Sequence, residues 1–177
     1  MTLPDQYKWL LSEPGPKMLL ESLKLYGVQE VQGNGDNPAI MGWAKELGIS
    51  WYGADSVPWC GLDMGIVAKR AGHPFNPNLL LSALEWLHWG IEIPINLAML
   101  GDVLVIKRSG GGHVTQYVGE DSEAYHGLGG NQSDMHDIAR IAKERIVGVR
   151  RPLYTIQPAN VRKVILSSSG ALSRNES

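Results

Sequence analysis

The chain has 177 residues, a formal net charge of -2, 44% hydrophobic and 19% charged residues, which suggests one globular domain able to bury its own core. That charge balance excludes electrostatic capture of nucleic acid as a driving force, although residues 101–177 carry 10 Lys/Arg against 8 Asp/Glu and residues 1–100 carry 6 against 10. A single cysteine excludes an internal disulfide and paired-cysteine zinc ribbons, and no run approaches the roughly 18 apolar residues of a membrane span.

Residues 1–16 contain three prolines and read as an irregular lead-in. Met1 to Gln6 lacks the basic start and apolar run of a secretory signal, so synthesis in the cytoplasm without a signal peptide is expected, with release by another agent if the protein acts outside. Leu19, Leu20 and Leu23 predict a helix over Lys17–Tyr26, ended by Gly27. Asn37 and Pro38 supply a cap and first turn for a second helix, whose apolar residues Ile40, Trp43, Ala44 and Leu47 recur at i, i+3, i+4 and i+7 before Gly48.

A third helix begins at the cysteine. Cys60, Met64, Val67, Ala68 and Ala71 share a stripe, and Gly72 supplies the stop. The thiol then sits in a first helical turn, where unpaired N–H groups and the helix dipole favour a thiolate. A buried bystander cysteine could occupy the same place. Ser82 and Glu85 are spaced as a capping box for a short helix through Trp89.

Beyond Asn96 the pattern turns to strands. Val103–Ile106 reads as a strand buried on both faces. His113–Val118, Glu123–Leu128, His136–Ile141 and Ile146–Arg151 follow, giving an α+β domain with N-terminal helices packed on an antiparallel sheet of about five strands. The catalytic-type domain spans 17–152, and 153–177 is a polar extension whose last ten or so residues are expected to be disordered.

A cysteine hydrolase needs a thiolate, an imidazole within reach and a polar group holding that imidazole. His113 is the best imidazole, because it starts a strand after Gly110-Gly111-Gly112, whose missing side chains leave room for substrate. Two residues are candidates for the holding group. Asn131 follows Gly129-Gly130, 18 positions after His113, and a hairpin would bring it back beside His113; His126 is nearer in sequence. Trp59 is placed at a cleft wall, while Trp86 and Trp89 are expected to pack inward. Asp102 is read as a turn residue rather than a calcium ligand. Arg150-Arg151 reads as a solvated strand end that could meet an anionic polymer. A zinc site from His113, His126, Asp134 and His136 is disfavoured, since no metal-ligand spacing supports it.

The series Gly33…Gly35-Asp36-Asn37-Pro38…Trp43-Ala44, Pro58-Trp59-Cys60, Trp86-Leu87-His88-Trp89-Gly90, Gly101-Asp102-Val103, Gly112-His113-Val114 and Leu128-Gly129-Gly130-Asn131-Gln132-Ser133 resembles the CHAP-type cysteine peptidases. These are relatives of NlpC-type wall peptidases with a papain-like core, and the resemblance runs from about Lys17 to Pro152. It is greatest to small single-domain proteins of bacteriophages and prophages. The resemblance implies peptidoglycan hydrolysis in host lysis, with Cys60 as nucleophile, His113 as base and acid, and Asn131 as orienting residue, His126 being second choice. It places Ser56, Trp59, Gly112 and Gln132 at substrate or oxyanion contacts. No cofactor or metal is expected. The expected partner is bacterial peptidoglycan, met by a monomer without membrane insertion. A zinc-dependent wall hydrolase, a secreted wall-degrading effector and a non-catalytic wall-binding module are the alternatives. Asp63 departs from the family pattern; facing the sulfur it would raise the thiol pKa, and it is expected to point away.

Overall fold

Asn37 begins the second helix in the computed structural model, which describes residues 2–76 and 81–173. Its side chain accepts the Ala39 N–H at 2.8 Å, and Pro38 fills the first turn, where its missing N–H costs nothing. The three α-helices are α1 (Lys17–Leu23), α2 (Pro38–Glu46) and α3 (Cys60–Arg70). Every residue of α3 from Cys60 to Ala68 is buried. It is therefore the central helix, packed by α1 and α2 on one side and by the sheet on the other. Gly72, at φ +83°, ends it as expected.

Six strands form one open antiparallel sheet: β1 (Ile91–Ile93), β2 (Val103–Arg108), β3 (Gly111–Glu120), β4 (Ala124–Gly129), β5 (Asp137–Ala142) and β6 (Ile146–Arg151), in the order β1-β6-β2-β3-β4-β5. The fold is thus α+β. Val103 and Val105 face the helices and Leu104 and Ile106 face a second cluster with Tyr117, Tyr125 and Ile141, so β2 is buried on both sides. The strand that sequence reading omits is β1. Its three residues pair with Val149–Arg151 of β6, and a segment that short carries no periodicity of its own.

Three further expectations are corrected. Residues 1–16 contain a 3₁₀ helix, Asp5–Ser12, whose Tyr7 and Leu10 are buried against β3 and β4; its prolines flank the helix rather than interrupt it. α1 ends at Leu23, short of Tyr26. Ala83–His88 is also a 3₁₀ helix, and the Ser82 side chain makes no capping bond. The extension returns to the sheet as far as Ser173. Leu166 N–H donates to Glu120 O at 2.8 Å and Ser173 N–H to Arg140 O at 2.7 Å, which satisfies backbone groups at the β3 end and the β5 edge. Residues 174–177 lie outside the described residues. Among the described residues no helix is long and apolar enough to cross a membrane.

Candidate active site

Cys60 is the first residue of α3 and is 3% exposed. Burial is the largest influence on its thiol and pushes the pKa up. Opposing it are the Val114 N–H, which donates to the sulfur, the positive charge of Arg108, and the Gly61 N–H. Asp63 is the last and smallest contributor, in the raising direction. The Val114 contact also fixes the geometry: the sulfur lies against the β3 backbone at the residue immediately after His113.

His113 is fully buried on β3, opposite Ile106 of β2. Its Nε2 lies 3.3 Å from Gln132 Oε1. The Gln132 amide is held from its other end, since Nε2 donates to Gly127 O at 3.0 Å and to Asp137 O at 2.5 Å. Two carbonyls can only accept, so the amide oxygen must be the atom facing the imidazole. His113 therefore donates from Nε2–H, and Nδ1 carries the lone pair that can act as a base.

Gln132, rather than Asn131, holds the ring, which corrects the first-choice orienting residue. Continuing the Gln116↔Leu128 register does set residue 131 across from residue 113. At 131, however, the chain leaves the extended conformation, with φ +60°, and Ser133 and Asp134 are also left-handed. Asn131 is buried and its Oδ1 accepts no hydrogen bond among the described residues. The second choice is corrected too. His126 pairs across the sheet with Gly119, well along β3 from His113, and its ring is occupied by Tyr7 Oη at 2.7 Å and Asp121 Oδ2 at 2.9 Å.

The other expected contacts divide. Ser56 is exposed on the loop before α3. Trp59 is no cleft wall: it is fully buried and donates to Glu30 Oε1 at 2.6 Å. A Cβ on Gly112 would lie 2.8 Å from the Leu84 side chain, so Leu84 fills the space expected for substrate, whereas Gly110 and Gly111 do face open space. Trp86 and Trp89 pack inward as expected, and Trp51 is exposed. Arg151 is bidentate to buried Asp102, at 2.8 Å to each oxygen, and Arg150 donates to Trp89 O at 2.6 Å. Neither arginine is the solvated strand end expected.

Asp63 points into the protein interior. Its Oδ2 accepts the Gly130 N–H at 2.9 Å and its Oδ1 lies 2.7 Å from His136 Nδ1, while His136 Nε2 is 3.1 Å from Ser22 Oγ. Sequence reading found neither Ser22 nor the Asp63–His136 pair, because their separations of 73 and 114 positions reflect tertiary packing, with no local motif. The four residues of the zinc alternative are not gathered: His113, His126 and His136 have the separate partners described above. Among the described residues no group of three or more His, Cys, Asp or Glu could hold a metal.

No known family's profile matches the chain, and no curated protein is significantly similar to it.

Proposed function

We propose that this protein is a cysteine amidohydrolase of bacterial peptidoglycan, with a papain-like core of the CHAP/NlpC kind and a role in phage-type host lysis. The observation that supports the chemistry is that the lone cysteine at a helix start touches the β3 backbone at Val114, next to His113, while Gln132 Oε1 meets His113 Nε2. The substrate class rests on the sequence resemblance, whose motifs include all of these residues.

The reaction follows from these roles. His113 Nδ1 takes the thiol proton, and the sulfur attacks the carbonyl carbon of a wall-peptide amide. The oxyanion falls beside the N–H of Cys60, one of the first-turn donors that have no partner within the helix. His113 then returns its proton to the leaving nitrogen as the C–N bond breaks, which leaves a thioester on Cys60. Water gives a proton to His113 and attacks the thioester, releasing a carboxylic acid and restoring the thiol. Gln132 keeps the ring in one orientation through both halves.

The test is digestion of purified sacculi by the wild type and by Cys60→Ala, with mass spectrometry of the products. The wild type should release new amino ends, and the variant should fold and release none. Chelators should have no effect and thiol alkylation should abolish release. Undiminished release by Cys60→Ala would sink the proposal, and sensitivity to chelators alone would favour the zinc alternative.

A further inference from the structure

The Asp63 carboxylate is fully buried one helical turn after the nucleophile, a costly place for a charge that has no task. Each of its oxygens has a distinct partner. Oδ2 takes the Gly130 N–H at 2.9 Å and Oδ1 takes His136 Nδ1 at 2.7 Å, while His136 Nε2 meets Ser22 Oγ of α1 at 3.1 Å. Gly130 sits so close to α3 that a Cβ there would lie 2.4 Å from the Trp59 ring and 2.6 Å from Asp63 Cβ. Two residues later in the same turn, Gln132 contacts His113.

Serine, histidine and carboxylate in that sequence of contacts resemble a catalytic triad, but Ser22 lies within α1 and is 1% exposed. No outside substrate reaches it, so the set acts on something internal. We infer that Asp63 is a positioning residue for the Cys60–His113 pair: it fastens the turn that carries Gln132 to the helix that carries Cys60. Ser22 and His136 hold the carboxylate in line, and the missing side chain of Gly130 permits the close approach. Nucleophile, base and orienting amide come from α3, β3 and the β4–β5 turn; Asp63 ties the first of these elements to the last. The inference rests on the Cys–His reading and deepens it.

Two substitutions separate position from charge. Asp63→Asn removes the charge but keeps the length. Its amide oxygen can accept the Gly130 N–H and its NH₂ can donate to His136 Nδ1, with the His136 proton moving to Nε2, from which it donates to Ser22 Oγ. Asp63→Glu keeps the charge and pushes the turn away from α3 by one methylene. The readouts are the pH profile of Cys60 alkylation by iodoacetamide, which needs no wall substrate, and steady-state digestion of sacculi, with His113→Ala as reference.

Asp63→Glu should shift the alkylation profile toward that of His113→Ala and lower kcat about 100-fold with little change in KM, as expected when a reacting group is misplaced by about 1 Å. Asp63→Asn should keep the wild-type profile and most of the activity, and nitrogen NMR should show the His136 proton moved from Nδ1 to Nε2. The inference is overturned if Asp63→Glu keeps the wild-type profile while His113→Ala does not, or if Asp63→Asn loses that profile; the second arm stands alone should the Glu variant fail to fold. An unmoved profile in His113→Ala would instead overturn the Cys–His reading beneath it.

Discussion

Burial, the largest influence on the Cys60 thiol, pushes its pKa up against the lowering contacts of the Val114 N–H, Arg108 and the Gly61 N–H. In the proposed hydrolase, catalysis would therefore depend on an imidazole held ready to remove the thiol proton. On that proposal Gln132 has a measurable share in the rate. Gln132→Ala should leave the fold and KM nearly unchanged and lower kcat about 100-fold, the lower end of what positioned proton transfer contributes. Asn131→Gly removes the neighbouring side chain at a φ of +60° that glycine adopts freely, so it should stay within about threefold of wild type. Steady-state kinetics on the two variants decides between them, and the reverse ranking would restore Asn131 as the orienting residue. The places of Cys60 and His113 were legible in the sequence because each lies beside a structural break: a helix start for Cys60 and a glycine run for His113. The amide that meets the imidazole was not legible. Choosing between adjacent amides requires knowing that the chain turns left-handed at 131, and Asn is merely permissive of that conformation.

Elements long enough to show a period were readable, and short ones were not. α2, α3 and β2 to β6 follow from spacing, caps and β-branched runs. The three residues of β1 exist because β6 offers a free edge, and Asp5–Ser12 adopts a 3₁₀ form while burying Tyr7 and Leu10 beneath the sheet. Such segments are shaped by what they pack against. At this scale α3 has two functions, since one turn presents the thiol and also receives the β4–β5 turn through Asp63. Gly130 is the contact between them. Gly130→Ala would place a methyl 2.4 Å from Trp59, itself fully buried and tied to Glu30, so the indole cannot retreat cheaply. Overpacking of this kind costs about 1–3 kcal/mol. Urea denaturation should show that loss, together with slower alkylation of Cys60 in the folded variant. A wild-type midpoint would mean that the turn and α3 are not in tight contact.

Across the whole molecule, the chain ends come together against the sheet. The N-terminal 3₁₀ helix and the returning segment up to Ser173 meet over β3 to β5, where a second buried polar network lies. Its centre is Asp121. Burial opposes the charge there, but hydrogen bonds from Arg140, His126 and the Glu123 and Ala124 N–H groups outweigh it and hold the carboxyl well below its usual range. His126 is lowered, chiefly by burial, and its neutral ring is satisfied on both nitrogens: Nε2–H donates to Asp121 and Nδ1 accepts from Tyr7. The sign for stability follows. Below the ordinary histidine value of 6.5, the unfolded chain binds a proton that folded His126 refuses, so stability is complete above that pH and falls as pH drops through it. The slope is at most about 1.4 kcal/mol per pH unit for one proton. His73, also lowered by burial, adds in the same direction. Nearer pH 4 the loss continues through Asp121, which stays ionised in the folded chain after its unfolded counterpart has taken a proton. His126→Gln should therefore flatten the upper part of the curve, between about pH 7.5 and 5.5, and leave the lower carboxylate part in place. Urea denaturation across that range checks it. An unchanged slope in the variant would show that His126 is not a group whose neutral form the fold requires.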